Sequence, residues 1–124
     1  MPGKWTRRLV VTVLATGAAL GFAAPSLGDT TRIKAVNQDG AYRWNKDFVG
    51  IAKGDRVVWA NPTSVNHTVT FYKGPGADKD STIGEGERTS KKFRKRGAYY
   101  YRCKLHSELS SGECTGMCGH VHVS

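Results

Sequence analysis

The sequence predicts an all-β protein, an antiparallel β-sandwich with Greek-key connections and about seven or eight strands. Short runs rich in β-branched and aromatic residues alternate with turn residues. From Asp29 onward, no window places apolar residues at the three- and four-residue spacing of a helix. A chain of 124 residues with 39% hydrophobic residues has room for one small packed domain. These features exclude a multidomain enzyme and a wholly disordered chain.

The first 28 residues have the composition of a secretory signal peptide. Basic residues precede an uncharged stretch over 9–28, which ends in small residues. We expect cleavage before Asp29, with a cut near Ala24 or an uncleaved membrane anchor as the alternatives. Residues 29–124 would then form the mature domain, without stable membrane insertion, in the periplasm, the cell envelope or the extracellular space.

The first four predicted strands each end just before residues that favour turns. The strand at 31–36 precedes Asp39 and Gly40, and the strand at 47–51 precedes a Lys-Gly-Asp turn. The strand at 56–60 precedes an Asn-Pro pair, and the strand at 67–72 precedes a Gly-Pro-Gly turn.

Three further strands complete the predicted set. They cover residues 88–94, 99–103 and 117–123, and an Arg-Gly turn separates the first two. Residues two apart along a strand share a face. His67, Cys103 and Met117 each share a face with apolar or aromatic residues, so their side chains are expected to point inward. These companions are Val69 and Phe71, Tyr99 and Tyr101, and Val121 and Val123.

The mature domain is mildly basic, with sixteen basic and ten acidic side chains and a net charge of +6. This charge favours partners with acidic surfaces. The sharpest basic run, at residues 91–96, contains one aromatic residue and no recognition motif. We interpret it as a solvated strand edge that discourages edge-to-edge pairing. Nucleic acid is not an expected partner of this exported chain.

Three inward-facing donors and a nearby histidine predict a metal site. Two residues separate Cys103 from His106, and ten residues separate His106 from Met117. A thiolate, imidazoles and a thioether suit copper that cycles between two oxidation states. Two imidazoles and one thiolate in a plane, with a weak axial thioether, form a type 1 copper site. His67, at the start of its strand, is placed to supply the second imidazole.

Four segments in order resemble plastocyanin-type cupredoxins over nearly the whole mature chain. They are the Lys-Gly-Asp turn and Val-x-Trp-x-Asn strand within 48–61, Asn-His-Thr-Val at 66–69, Gly-x-Tyr-x-Tyr-x-Cys-x-x-His at 97–106, and Gly-Met-x-Gly-x-Val at 116–121. The resemblance implies a cupredoxin-like sandwich with one type 1 copper held by His67, Cys103, His106 and Met117. It also implies a monomeric electron carrier that serves a donor and an acceptor redox protein.

The chain departs from the family pattern at two places. The interval between His106 and Met117 is longer than in plastocyanin, which predicts an enlarged ligand loop and makes Met117 the least secure ligand. Thr68 stands where family members often have an asparagine that bridges the ligand loops. Its hydroxyl is expected to make part of that network.

The remaining cysteines are expected to pair with each other. If Cys103 is the copper thiolate, Cys114 and Cys118 are left for a local disulfide in an oxidising compartment. Pairing between molecules, or two reduced thiols, is the alternative. His120 and His122 alternate with valines and are expected on the outer face, apart from the main site.

The expected function is outer-sphere electron transfer without catalysis, with His106 as the port for the electron. One alternative is an exported protein that stores or delivers copper without a redox partner. Another is a metal-free sandwich used for adhesion, in which His67 and Cys103 are ordinary core residues.

Overall fold

In the computed structural model, residues 28–124 are described, and they form a β-sandwich of nine strands without a helix. The predicted signal peptide lies outside the described residues, apart from Gly28. The strands are β1 (Thr30–Gln38), β2 (Ala41–Trp44), β3 (Phe48–Ile51), β4 (Arg56–Ala60), β5 (His67–Lys73), β6 (Asp80–Ile83), β7 (Arg88–Lys92), β8 (Gly97–Ser110) and β9 (Glu113–Val123). Within the described part, no helix is long and apolar enough to cross a membrane.

The strands form two sheets that pack face to face. One sheet has the order β3-β9-β8-β5-β6 and the other has the order β2-β1-β4-β7. The all-β sandwich is therefore confirmed, but both sheets are mixed. β1 pairs with β4 in parallel, and β9 pairs with β3 in parallel, whereas the other pairs are antiparallel. Parallel neighbours arise because each such pair is joined by a long connection rather than a hairpin.

Two short strands were absent from the prediction. β2 is a four-residue strand that follows the turn at Asp39 and Gly40, where both residues have positive φ. β6 is a polar edge strand, Asp-Ser-Thr-Ile, whose sequence lacks the apolar alternation that marks a strand. Pairing with a neighbouring strand creates both, and the local sequence does not indicate it.

The core lies between the sheets and follows the predicted parity. Apolar and aromatic side chains from both sheets are buried there, among them Ile33, Val57, Trp59, Val69, Phe71, Phe93, Tyr99, Tyr101, Val121 and Val123. In β9 the alternation is regular from Met117 onward, with buried odd-numbered residues and more exposed even-numbered ones. His67, Cys103 and Met117 are each 0% exposed, so the inward orientation predicted for them is correct.

The interval predicted as an enlarged loop is a β-hairpin. β8 and β9 continue past the core, and Ser107–Ser110 pair with Glu113–Gly116 around a turn at Ser111 and Gly112. The ten residues between His106 and Met117 are thus mostly ordered strand. The sequence gives the length of this interval but does not indicate that its two halves pair with each other.

Candidate metal centre

Three predicted ligands meet at one end of the sandwich. One donor atom from each of His67, Cys103 and His106 lies within 4.8 Å of the other two. Cys103 Sγ is 3.8 Å from His67 Nδ1 and 3.4 Å from His106 Nδ1. Within the described residues, no other group of three histidine, cysteine or acidic side chains has this spacing.

The Cys-x-x-His segment is a bulge in the β8–β9 hairpin. Arg102 pairs with Cys118 and Ser107 pairs with Gly116, so four residues of β8 lie opposite the single residue Met117 of β9. Because the extra residues cannot pair, they bow out and carry Cys103 and His106 to the end of the sandwich. Ser107 Oγ closes this bulge by donating a hydrogen bond to the carbonyl of Cys103 at 2.5 Å.

Met117 occupies a sharp bend directly across from that bulge. The Cα atoms of Cys114 and Cys118 are 6.1 Å apart, whereas a straight strand would separate them by about 13 Å. Gly116 permits the bend because its φ is +102°, and a Cβ there would lie 2.6 Å from the carbonyl oxygen of His106. The fourth predicted ligand is therefore buried, opposite the segment that carries Cys103 and His106.

A disulfide joins Cys114 to Cys118 and encloses Met117 in its ring. Cys103 is the free cysteine of residues 28–124, and it is buried. This is the pairing that the cysteine count favours when Cys103 serves as a thiolate. The bridge holds the two arms of the bend together across the position of Met117.

Hydrogen bonding orients His67 for metal binding. Its Nε2 lies 2.9 Å from Thr63 Oγ1. Because the Thr63 hydroxyl donates its own proton to Asn61, Oγ1 accepts a hydrogen bond from the Nε2–H of His67, and this tautomer leaves the Nδ1 lone pair toward Cys103. Thr63 Oγ1 in turn donates to Asn61 Oδ1 at 2.6 Å. Burial, and secondarily the charge of His106, lowers the pKa of His67 to about 4. The imidazole is therefore neutral near pH 7, which is the form that binds metal.

The thiolate position is fixed from the side of β5. The backbone N–H of Thr68 donates to Cys103 Sγ at 3.3 Å. The Thr68 hydroxyl accepts the backbone N–H of Lys104 at 2.8 Å, so this side chain links the two ligand segments. The partial bridge expected of Thr68 is present.

A ring of polar groups extends this link to the surface. Thr68 and Thr70 hydroxyls lie 3.0 Å apart, and Thr70 donates to Asp80 Oδ1 at 2.8 Å. Lys104 Nζ reaches Asp80 Oδ2 at 2.9 Å and closes the ring. The hydrogen bonds from Lys104 and then from Thr70 lower the pKa of Asp80, which stays a carboxylate near neutral pH.

Three supporting residues had no role in the sequence analysis. The Tyr42 ring lies 5.0 Å from the His67 ring and 4.7 Å from the His106 ring, centroid to centroid. The sequence around Tyr42 does not indicate this position, because it is the turn before β2 that brings Tyr42 to the two imidazoles. Asn61 is 1% exposed and donates to the carbonyls of Val65 and Ile83, which shapes the loop that holds Thr63. Asn61 ends the Val-x-Trp-x-Asn strand, so its position was visible in the sequence.

His120 and His122 do not join the site. His120 is half-buried on the outer face, where it stacks on Tyr100 at 4.4 Å and meets Phe48 edge-on at 5.0 Å. His122 is exposed. The structure thus separates these histidines from the metal-binding end.

The donor set fits copper better than other common metals. A thiolate and two imidazoles, with a thioether nearby, match the ligands of type 1 copper, whereas Mg²⁺ and Ca²⁺ prefer oxygen donors. Two of the three converging residues are fully buried, which keeps water from the thiolate.

Comparison with known proteins agrees with this donor set. Residues 31–124 match the copper-binding proteins of the plastocyanin/azurin family. A purple cupredoxin from Nitrosopumilus maritimus is similar in structure, with a TM-score of 0.59 and 24% identity over 76% of this chain and 99% of that one. An oxidized amicyanin variant has a TM-score of 0.61 and 20% identity over 77% of this chain and 82% of its own. A reduced amicyanin variant gives a TM-score of 0.60 and 21% identity over the same shares.

Proposed function

The chain belongs to the plastocyanin/azurin family of copper-binding proteins, and on that premise we propose that it is an exported carrier of single electrons. His67, Cys103, His106 and Met117 would hold one copper ion. Bound copper supplies a Cu(I)/Cu(II) couple that gains and loses one electron without making or breaking a substrate bond. The protein would therefore pass electrons from a donor protein to an acceptor protein and would not be an enzyme.

One observation carries the proposal: the donor atoms of His67, Cys103 and His106 lie within 4.8 Å of one another. A hydrogen bond from His67 to Thr63 and one from the Thr68 N–H to Cys103 hold two of these residues in place. Ligands that are held by their surroundings move little when the metal changes its charge, and a small rearrangement favours fast electron transfer.

His106 is the proposed port for the electron. It is half-buried, whereas His67 is 0% exposed, so the imidazole edge of His106 is nearer to a docked partner. Leu105, its neighbour, is 58% exposed and offers an apolar contact beside the port. The net charge of +6 on residues 29–124 attracts acidic redox partners to the protein as a whole, and we propose that the carrier is a monomer.

The first experiment is the visible spectrum of the purified protein after Cu(II) is added. An intense thiolate-to-copper band is expected. Its absence would exclude a type 1 site. The rate of electron self-exchange then separates a carrier from the alternative, a protein that stores or delivers copper. A carrier should exchange electrons fast and copper slowly, whereas a delivery protein should do the reverse.

Export is tested by the intact mass of the protein after expression with its own N terminus. We expect a chain that begins close to Asp29. Recovery of the full-length chain in the membrane fraction would instead make it an anchored protein.

A further inference from the structure

The two ends of the sandwich differ in their balance of charged side chains, although Arg88 and Lys104 are also exposed near the ligands, and Asp29 and Asp55 lie at the opposite end. The four glutamates of residues 28–124 are exposed at or beside the end that holds the predicted ligands, which we call the copper end. They are Glu85, Glu87, Glu108 and Glu113. The opposite end carries exposed cations, and we call it the basic end. These are Lys53, Arg56, Lys92, Arg94, Lys95 and Arg96.

Strand pairing gathers the basic end from two separate parts of the chain, residues 53–56 and 92–96. Arg56, at the start of β4, pairs with Lys92, at the end of β7. The turn after β7 joins the turn before β4 through a hydrogen bond from the Gly54 N–H to the Phe93 carbonyl at 2.6 Å. Cys103 lies six residues along β8 from Gly97, a rise of about 20 Å. The cations therefore lie a full strand length from the candidate metal centre.

Few anions neutralise these cations. Asp29 and Asp55 are the aspartates at this end, and the Asp55 carboxylate accepts the backbone N–H groups of Asp29 and Ala52 at 3.0 and 2.9 Å. Within residues 28–124 the one ion pair joins Lys104 to Asp80, so none of the six cations of the basic end is in an ion pair. The terminal Ser124 is also close by, because its carbonyl accepts the N–H of Lys53.

The chain also enters the domain at the basic end. The Asp29 carbonyl accepts the N–H of Arg56 at 2.9 Å, immediately before β1 starts beside β4. The uncharged apolar stretch over 9–28 therefore joins the domain next to the exposed cations. The predicted cleavage point before Asp29 is therefore at the basic end as well.

We propose that the basic end docks on an anionic phospholipid surface and points the copper end away from it. Lysine and arginine side chains near an anionic bilayer each add to binding, within a Debye length of about 8 Å at physiological ionic strength. The glutamates at the far end would be repelled by the same surface, which favours one orientation. His106 would then stay open to soluble partners. The docking needs no bound metal, so it can fail or hold independently of the proposed electron transfer.

Sedimentation with lipid vesicles tests the docking on the exported protein. Vesicles of phosphatidylcholine with phosphatidylglycerol should bind it, binding should weaken as salt rises, and vesicles of phosphatidylcholine alone should not bind it. The triple variant R94Q/K95Q/R96Q should lower the affinity at least about tenfold. The matched control K34Q/R43Q/K46Q removes the same charge from exposed positions outside the basic end and should keep most of the affinity.

Lysine acetylation read by mass spectrometry tests the orientation. On phosphatidylglycerol vesicles, Lys92 and Lys95 should become protected, whereas Lys46 and Lys104 should stay as reactive as in free protein. Equal losses of affinity in the two triple variants, or protection of Lys46 and Lys104 instead, would overturn the proposal. Failure to bind the anionic vesicles at about 0.15 M salt would also overturn it, and would leave an acidic protein as the occupant of this end.

Discussion

His67 and Met117 are both expected to bind the same copper ion as Cys103, yet the molecule holds them in different ways. His67 starts a strand inside the sheet and is fixed by burial and by a hydrogen bond to Thr63. Met117 lies where β8 and β9 separate, in a bend spanned by the Cys114–Cys118 disulfide. On the first side, sheet pairing and buried hydrogen bonds position the ligand. At Met117 the pairing between β8 and β9 is interrupted, and the disulfide positions the ligand instead.

Replacing Cys103 affects both sides and gives the largest expected effect. The variant Cys103→Ser should lose the intense visible band completely, because only the thiolate produces it. The sandwich should stay folded, since its core packs without the metal. Absorption after Cu(II) addition measures the first effect, and circular dichroism of the variant measures the second. A serine variant that kept its colour would remove Cys103 from the site.

Removing the disulfide tests the side of Met117 alone. The double variant C114S/C118S should lose roughly 2 kcal/mol of unfolding free energy, the chain-entropy value for so small a ring. It should also release copper faster, because the bend around Met117 is no longer closed. Denaturant unfolding and transfer of copper to a chelator measure the two effects. Copper release at the wild-type rate would show that the bend needs no bridge.

The axial position is tested by Met117→Leu. Leucine fills a similar volume, so the fold and the colour should be retained. The reduction potential should rise by about 59 mV, the equivalent of a tenfold shift of a one-electron equilibrium, because a thioether stabilises Cu(II) more than Cu(I). Cyclic voltammetry measures the change. An unchanged potential would make Met117 a core residue and leave the copper with three protein ligands or a different fourth.

The smallest effect is expected from Asp80, the exposed member of the ring of polar groups that Thr68, Thr70 and Lys104 complete. Asp80→Asn removes a negative charge and leaves Lys104 unpaired, and both changes disfavour Cu(II). The reduction potential should rise by at most about 43 mV, the one-electron equivalent of about 1 kcal/mol, which is the upper value for an exposed ion pair. Asp78→Asn is the control, because it removes the same charge from an exposed residue two positions away. Equal shifts in both variants would mean that net charge, and not the ring, sets the potential.

Much of the candidate site was predictable because it depends on residues that are close together in the sequence. Cys103 and His106 are three residues apart, and a bulge brings such neighbours together without help from distant parts of the chain. Strand parity placed His67, Cys103 and Met117 on the inner face, and all three are buried there. The pairing of Cys114 with Cys118 was expected from their number and from the oxidising compartment that the N-terminal sequence predicts.

The sequence by itself determined the class of fold, the identity of the donors and the side of the sheet on which each donor lies, because alternation and residue chemistry are local properties. Only the tertiary structure decided what surrounds them. It brought Tyr42 against both imidazoles, turned the long interval after His106 into a paired hairpin, and separated the glutamates from the basic run. These arrangements depend on which strands pair across long stretches of chain. Pairing of that kind is set by the packing of the whole core, which no short segment encodes.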